Sequence, residues 1–152
     1  DVPFFIRGGT QTGRGRGERL EPIDPPLTGW VVIAKGGEGA STPAVFSEFD
    51  RAPVSAPLTV DEALAKLRRQ EWDALCNDLE AAALRVAPTI ADTRRCLGAL
   101  ASAPVIVSGS GASVFAAFAD EAAARAVYTE LAASVGFACV CPMIPQGVEI
   151  VG

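Results

Sequence analysis

The 152-residue chain contains no histidine. Its absence excludes a Ser-His-Asp triad, a Cys-His dyad and any histidine-ligated metal within these residues. Positive charge is also scarce, because 13 Lys and Arg stand against 18 Asp and Glu, a formal net charge of -5. A global basic field that would attract nucleic acid or an anionic membrane is therefore absent. No apolar run approaches the roughly 20 residues that a membrane-spanning helix needs.

The four cysteines do not form a C-x-x-C pair, and their positions are Cys76, Cys96, Cys139 and Cys141. In "FACVCPM" the last two flank one residue, so strand alternation would place both thiols on the same face. They could be a metal or redox pair, or two small side chains packed on that face. Two thiolates without further ligands make a poor closed metal site, which favours packing. Free thiols and the lack of a signal peptide predict a reducing, cytoplasmic location.

Apolar residues make up 49% of the chain, the usual share of a globular protein. At the start of the sequence, "VPFFI" predicts a strand. The glycine-rich "GGTQTGRGRG" and the following "ERLEPI" predict a twisted hairpin. "DPP" at residues 24–26 then interrupts the pattern in the manner of a linker. We therefore predict that residues 1–28 are the tail of one domain and that residues 29–152 form another.

After this linker, each patterned segment starts or stops at a recognisable signal. "GWVVIAKGG" predicts a buried strand, and "STPAVF" predicts a helix that begins at Ser41 or Thr42. Thr59 and Glu62 have the spacing of a capping box for a second helix. A third helix is predicted over about residues 71–87, and "TIADTRRCLGALA" predicts a fourth.

The last third of the chain gives the clearest order of elements. "APVIVSG" and "SVFAAFA" predict two strands that the turn "SGSGA" joins. Asp120 is the predicted cap of a helix that Gly136 ends, and "FACVCPM" and "GVEIV" follow as extended segments. From Trp30 onward the order is strand, helices, strand, strand, helix, strand. This order predicts an α+β fold of the ferredoxin-like, split βαβ type, with helices on one face of an antiparallel sheet.

The turn "SGSGA", residues 108–112, is the first candidate for chemistry. Its alternating glycines let a ligand approach the backbone closely, and successive amides in such a turn can bind an anion. Ser110 adds a hydroxyl group. The same glycines also suit a tight hairpin that needs positive φ angles. The local pattern leaves these two interpretations evenly balanced, because short glycine motifs are weak signals.

A cluster of arginines in "RGGTQTGRGRGER" is the second candidate, and its members are Arg7, Arg14, Arg16 and Arg19. The guanidinium group is well shaped for phosphate, which favours a phosphate contact. A solvated hairpin tip is the simpler interpretation. An RNA-binding segment ranks last, because such segments are longer and interleave aromatic residues, whereas strand patterning resumes here at once.

Asp1 is the third candidate. A carboxylate before an apolar run could act as a general base at the edge of a cleft. An ordinary turn residue is the competing interpretation, and from the residue alone that interpretation is favoured.

Several of these stretches together carry a family resemblance. "DVPFFIRGGTQTGRGRGERLEPI", "STPAVF", "NDLEAAAL" and "SGSGASVFAAF" occur in this order along the chain. In this order they resemble the C-terminal half of kinases in the galactokinase, homoserine kinase, mevalonate kinase and phosphomevalonate kinase (GHMP) superfamily. Within it, they resemble the family that phosphorylates 4-diphosphocytidyl-2-C-methyl-D-erythritol. The resemblance covers essentially the whole chain.

The resemblance implies roles for particular residues. Asp1 matches the catalytic aspartate beside the hydroxyl that is phosphorylated. Phe46 matches an aromatic that stacks on the cytosine of the substrate, with Pro43 beside it. Gly15 and Arg16 would line the same substrate pocket, although Arg14 and Arg16 are not fixed features of the family pattern. Gly109, Ser110 and Gly111 match a motif that supports the phosphate-transfer site.

The implied reaction is transfer of phosphate from ATP, accompanied by Mg²⁺, to the 2-hydroxyl of the cytidine diphosphate-linked methylerythritol. It is a step in the non-mevalonate route to isoprenoids. The family's ATP loop and catalytic lysine have no counterpart here, and no residue is a dedicated metal ligand. The resemblance therefore implies an N-terminally truncated, inactive half whose residues 2–23 pack on an absent domain.

A non-catalytic, ferredoxin-like module that binds a small ligand is the alternative function. The fold alone does not exclude it, since ferredoxin-like domains serve many functions. The leading strand and hairpin argue against it, because such a module would not need them.

Overall fold

The structure is a computed structural model, and it describes residues 2–54 and 57–148. The helices in these ranges are α1 (Val2–Arg7), α2 (Thr42–Arg51), α3 (Val60–Leu67), α4 (Glu80–Val86), α5 (Thr89–Leu100) and α6 (Glu121–Leu131). The strands are β1 (Gln11–Arg14), β2 (Arg19–Pro22), β3 (Trp30–Lys35), β4 (Val105–Val107), β5 (Val114–Phe118) and β6 (Phe137–Pro142). A short 3-10 helix spans Trp72–Ala74.

The larger sheet has four strands in the order β4-β5-β3-β6, and every neighbouring pair is antiparallel. In this register Val32 of β3 lies opposite Ala116 of β5 on one side and Val140 of β6 on the other. From β3 onward the chain therefore follows the split βαβ order, with the first strand of the unit inside the sheet. The predicted α+β, ferredoxin-like fold is confirmed.

The hydrophobic core lies between this sheet and helices α5 and α6. Val32 and Ala34 of β3 alternate with less buried neighbours, so both point to the helix side. Helix α5 buries Ile90, Thr93 and Leu97, the same stripe that its sequence spacing predicts. Burying one Leu or Ile side chain contributes about 1.5–3 kcal/mol, so these few contacts hold the helix on the sheet.

The opposite face of the sheet is covered in part by the segment that contains the 3-10 helix. Trp72 and Ala74 are buried outside the main core, as are Ile106 of β4 and Ala117 of β5. The two strand residues alternate with core residues, so they face away from α5 and α6. The predicted continuous helix over residues 71–87 is therefore wrong, because the first part of that segment packs across the sheet and only residues 80–86 are α-helical.

Helix α1 corrects a second prediction, because residues 2–6 are helical and not a strand. A proline fits the first turn of a helix, and Pro3 lies there. Gly8, with φ of 68°, follows the last residue of the helix, and its N–H donates to the Phe4 carbonyl at 2.7 Å. Periodicity cannot separate a short apolar helix from a buried strand, which explains the error.

The predicted hairpin is confirmed as β1 and β2, which form their own two-stranded sheet. Gly13 lies opposite Leu20, and the turn between the strands contains Gly15 and Gly17 at positive φ angles. Thr10 holds the base of the hairpin, since its carbonyl accepts from the Ile23 N–H at 2.8 Å.

The remaining helix signals have mixed outcomes. The Thr59 and Glu62 capping box is present, and Asp120 caps α6 by accepting from the Ala123 N–H. Ser41 is the N-cap residue of α2 by position, but its side chain makes no capping hydrogen bond. Gly136 does not end α6, which stops at Leu131. It lies where the chain passes Gly36, whose carbonyl oxygen would be 3.0 Å from an added Cβ.

Residues 147 and 148 contact helix α1. The Val148 N–H donates to the Phe5 carbonyl at 2.9 Å, and Gly147 approaches the backbone of α1 closely. The predicted final extended segment "GVEIV" lies partly outside the described residues. No helix in the described part of the chain is long and apolar enough to cross a membrane.

Candidate functional site

Two segments that are far apart in the sequence meet at the start of α2. The hydroxyl oxygens of Thr42 and Ser110 are 2.8 Å apart, so one hydroxyl donates to the other. Thr42 is the first residue of α2, and Ser110 is the middle residue of the "SGSGA" turn between β4 and β5. The structure thus joins two of the segments in which the sequence predicts site residues.

Phe46 lies on the same side of α2 as Thr42, because residues four apart are neighbours on a helix surface. Its ring is half exposed, at 50%, whereas Val45 beside it is fully buried in the core. Pro43 lies within the first turn of the helix and is three residues from Phe46. The helix therefore presents an aromatic ring and a proline to solvent next to the glycine turn.

The glycine turn is tight and needs both of its glycines. Gly109 and Gly111 have φ angles of 56° and 86°, which side chains with a Cβ rarely adopt. The Gly111 N–H donates to the Ser108 carbonyl at 2.9 Å and closes the turn. A Cβ on Gly111 would lie 2.6 Å from Cδ1 of Ile90, so the core residue Ile90 packs directly against this glycine. The tight-hairpin interpretation is confirmed, and anion binding by the turn stays a prediction.

A polar cluster that the sequence reasoning did not assign holds β4 in place. The Asn77 side chain donates to the Val107 carbonyl at 2.7 Å, and the Glu80 carboxylate accepts from the Val107 N–H at 2.9 Å. Arg94 pairs with Glu80 at 3.2 Å and donates to the Val105 carbonyl at 3.1 Å. The stretch "NDLE" contains Asn77 and Glu80. The spacing of an Asn three residues before a Glu was the sequence signal for this cluster.

An ion-pair network fixes α2 against α4. Glu48 of α2 accepts from Arg85 of α4 at 2.6 Å and from Arg51 of its own helix at 3.4 Å. The hydrogen bond that Arg85 donates, helped by the charges of both arginines, holds the pKa of Glu48 below its ordinary value. The helix that carries Phe46 is therefore tied to the helix that follows Asn77.

Comparison with known proteins places the chain in a family. Residues 60–136, about half of the chain, match the family described as GHMP kinases C terminal. The chain belongs to this family. The resemblance that the sequence motifs suggested is confirmed.

Curated relatives carry a more specific name. The 4-diphosphocytidyl-2-C-methyl-D-erythritol kinase of Moorella thermoacetica is 38% identical over 86% of this chain and 48% of the relative. The protein of the same name from Streptomyces avermitilis is 41% identical over 88% of this chain and 48% of its own length. This GHMP kinase chain spans about half the length of the curated relatives that it matches.

A solved structure agrees with these relatives. The crystal structure of a 4-(cytidine 5'-diphospho)-2C-methyl-D-erythritol kinase aligns with a TM-score of 0.78 at 32% identity. The alignment covers 93% of this chain and 52% of that one. It includes the part of the chain before residue 60, which the family match does not reach. These relatives do not favour the alternative of a non-catalytic binding module.

Gly15 and Arg16 of the GHMP kinase chain lie at the tip of the β1–β2 hairpin. Gly15 has φ of 70°, and a Cβ there would collide with the Glu18 carboxylate, which accepts from the Arg16 N–H at 2.6 Å. Among the hydrogen bonds and ion pairs of residues 2–54 and 57–148, none joins this tip to α2 or to the glycine turn. The structure does not bring these two predicted residues to the others.

The hairpin arginines have separate surroundings. Arg7 donates to the Leu20 carbonyl at 3.0 Å, and Arg19 lies 3.8 Å from Glu18. Arg14 and Arg16 are exposed.

An apolar groove of about 360 Å³ separates β1 from α3, but none of its lining residues belongs to α2 or to the glycine turn. Asp1, the predicted catalytic residue, lies outside the described residues.

The two cysteines of β6 point to one face of the strand, as predicted. Each is half-buried, and burial is the main cause that raises the pKa of Cys141, followed by the neighbouring Cys139 thiol. Within the described ranges, no three Cys, Asp or Glu side chains are grouped so that they could hold a metal ion. Ala138 and Val140, not these cysteines, pack against the core, so the packing interpretation of the pair stays a prediction.

Proposed function

We propose that this chain supplies the C-terminal half of an enzyme that transfers phosphate from ATP to the 2-hydroxyl of 4-diphosphocytidyl-2-C-methyl-D-erythritol. The names of the curated relatives support the reaction. The observation that carries the proposal is the hydrogen bond between Thr42 and Ser110. It joins the helix with the exposed aromatic ring to the glycine turn, and we infer that the two together form a cleft for a nucleobase and a phosphate.

Phosphoryl transfer depends mainly on positioning and on electrostatic stabilisation, and we divide these tasks among the named residues. Phe46, with Pro43 beside it, stacks on the cytosine ring. Gly109, Ser110 and Gly111 support the phosphate-transfer site, where the unpaired amides of Gly109 and Ser110 can face a phosphate. Asp1 accepts the proton of the 2-hydroxyl or orients that group, and it lies next to Val2, the first residue of α1.

We also propose that Gly15 and Arg16 line the outer part of the substrate pocket. This assignment requires the hairpin tip to face the substrate in the complete enzyme. The exposed position of the tip and its rigid turn, held by Glu18, are compatible with it.

ATP would bring its own Mg²⁺ to the cleft. In the described part of the chain the available Asp, Glu and Cys side chains do not form a group that could hold a metal ion. We therefore assign no metal ligand there, and no step of the mechanism passes through one. The charge of the phosphates is met in our proposal by backbone amides of the glycine turn.

We propose that residues 2–23 pack against the other half of the enzyme, with the domain boundary after residue 28. Helix α1 buries none of its side chains, although most of them are apolar. Phe5 and Ile6 are 63% and 66% exposed. Exposed apolar patches of this kind mark interaction surfaces. All four cysteines are free thiols, which supports a reducing, cytoplasmic location.

The test uses the complete product of the gene that encodes this chain. Phosphate transfer from ATP is measured with 4-diphosphocytidyl-2-C-methyl-D-erythritol, with homoserine and with mevalonate as acceptors. We expect turnover with the first acceptor only. Asp1→Asn should remove most of the turnover and leave substrate binding largely intact, because the change acts on the transition state. Turnover with another acceptor, or none at all, would sink the proposal.

Phe46→Ala tests the cytosine contact. Loss of base stacking costs about 1–3 kcal/mol, so KM for the cytidine substrate should rise about 5- to 150-fold. Phe137→Ala is the matched control, because Phe137 is also half exposed, at 54%, but lies on β6. An equal KM in both variants would place the cytosine elsewhere.

A further inference from the structure

The side chain of Asn77 uses its whole amide on the backbone around the glycine turn. Nδ2 donates to the Val107 carbonyl at 2.7 Å and to the Gly109 carbonyl at 2.8 Å. Oδ1 accepts from the Leu79 N–H at 3.0 Å. The first two acceptors lie on either side of Ser108, at the point where β4 ends and the turn begins.

These contacts require an asparagine. Its NH₂ group offers two donors and its carbonyl oxygen is an acceptor, which matches two carbonyls and one N–H. The partners also fix the orientation of the amide, because a backbone carbonyl can only accept and a backbone N–H can only donate. An aspartate would direct an oxygen at two carbonyl oxygens and lose both bonds.

Polar side chains and the core hold opposite ends of the turn. A Cβ built on Gly109 would meet nothing within 4 Å, so the space on that side of the residue is open. At the other end of the turn, a Cβ on Gly111 would collide with Ile90. The turn is therefore held by Asn77 and Glu80 where β4 ends and by the core at Gly111.

The free amides of the turn lie between these two supports. Among the hydrogen bonds of the described residues, none has the N–H of Gly109 or of Ser110 as donor. Successive unpaired amides in a turn, where a left-handed residue such as Gly109 is followed by a residue outside that region, can form a concave site for an anion. The Ser110 N–H shares a peptide unit with the Gly109 carbonyl, so its direction is set by the hydrogen bond from Asn77. The Gly109 N–H shares its peptide unit with the Ser108 carbonyl, which accepts from the Gly111 N–H.

We propose that Asn77 is a positioning residue for phosphate transfer: its amide fixes the carbonyls of Val107 and Gly109 and thereby aims the free amide of Ser110, next to that of Gly109, at a phosphate of ATP. This inference rests on the proposed kinase function. It adds a residue that touches neither substrate and acts through the turn. The Thr42–Ser110 bond then sets the distance from this phosphate site to the helix of Phe46.

The experiment compares Asn77→Ala and Asn77→Asp with wild type in the complete gene product. Misplacing a reacting group by about 1 Å can cost about 100-fold, so we expect kcat/KM for ATP to fall about 10- to 100-fold in both variants. KM for ATP should rise, and KM for the cytidine substrate should stay within about twofold, because Phe46 lies on α2. A loss of folded enzyme would lower kcat and change neither KM.

Two controls separate positioning from charge and from folding. Asp78→Asn changes an exposed neighbour and should leave all constants unchanged. A loss confined to Asn77→Asp would point to charge repulsion and overturn the inference. If Asn77→Ala unfolds below the assay temperature, Asn77→Ser takes its place, and its KM values for ATP and for the cytidine substrate are compared in the same way.

The failure of this inference differs from the failure of the proposed function. An active wild-type enzyme whose KM for ATP is unchanged by Asn77→Ala would overturn the role of Asn77 alone. A wild-type enzyme that does not phosphorylate the cytidine substrate would overturn the kinase proposal itself.

Discussion

The segment of residues 2–23 and the sheet domain of residues 30–142 differ in how far their apolar side chains are buried. In the sheet domain, Val32, Leu97 and Leu131 are fully buried between the sheet and its helices. In the first segment, the apolar side chains of α1 are mostly exposed, and none is fully buried. An apolar run in the sequence thus indicates side chains that are suited to burial. They become buried only where another part of the fold packs against them.

The largest contrast between the two regions is expected from the same substitution at two isoleucines. Ile90→Ala removes a fully buried side chain and should lower the free energy of unfolding by about 2–5 kcal/mol. Ile6→Ala removes an exposed one and should change it by less than about 0.5 kcal/mol. Urea unfolding of this chain measures both. Equal losses would show that α1 is buried in solution.

Alanine at two glycines with positive φ is the next test. Gly111→Ala combines an unfavourable φ with a collision against the buried Ile90, and it should cost about 2–4 kcal/mol. Gly15→Ala has the same backbone problem, but its neighbour is the exposed carboxylate of Glu18, which can move. A cost of about 1–2 kcal/mol is expected there. Thermal melts of both variants compare the rigid turn with the hairpin tip.

A smaller effect is expected at helix starts. Helix α3 faces the hairpin and buries no residue, so its capping box carries much of its stability. Thr59→Ala should cost about 1 kcal/mol. Ser41→Ala should cost less, because the Ser41 side chain makes no capping bond and Val45 anchors α2 in the core. Denaturant midpoints of the two variants would contradict this if their order were reversed.

The smallest effect concerns pH and the ion pairs of Glu48. Its pKa in the folded protein is lowered, chiefly by the hydrogen bond from Arg85, from an ordinary value of 4.5. A lowered pKa stabilises the folded state above that pH, and the contribution is lost as the pH falls through the folded-state value. The stability difference between wild type and Glu48→Gln should therefore shrink below about pH 4.5.

The control for this pH series is Asp50→Asn on the same helix. Asp50 is exposed and makes no ion pair within the described residues. Its substitution should leave the acid part of the stability curve unchanged. A constant difference between wild type and Glu48→Gln at every pH would show that the ion pairs contribute nothing.

Elements with strong local signals were predictable. The strand β3, the glycine turn, the Thr59 capping box and the Asp120 cap are all present as the sequence indicates. The errors fall where a tertiary contact outweighs the local pattern. Trp72 packs on the sheet and interrupts the expected helix, and α1 is helical although its apolar run also suits a strand.

The residues of the candidate site also divide into those that the sequence predicted and one that it did not. Phe46, Ser110 and the two glycines of the turn were named from motifs, and the structure places Phe46 beside the turn through Thr42. Asn77 received no role, because the value of its amide depends on two carbonyls that lie 30 and 32 residues further along the chain. Short motifs do not report such partners.

From Trp30 onward the sequence by itself determined the order strand, helices, strand, strand, helix, strand, which is the order of the ferredoxin-like sheet, because caps and turns act between neighbouring residues. Only the tertiary structure decided that Thr42 meets Ser110, 68 residues away, and that Asn77 holds the glycine turn. It also decided that α1 stays exposed while α5 is buried. These outcomes depend on which surfaces the folded chain brings together, and no local pattern specifies that.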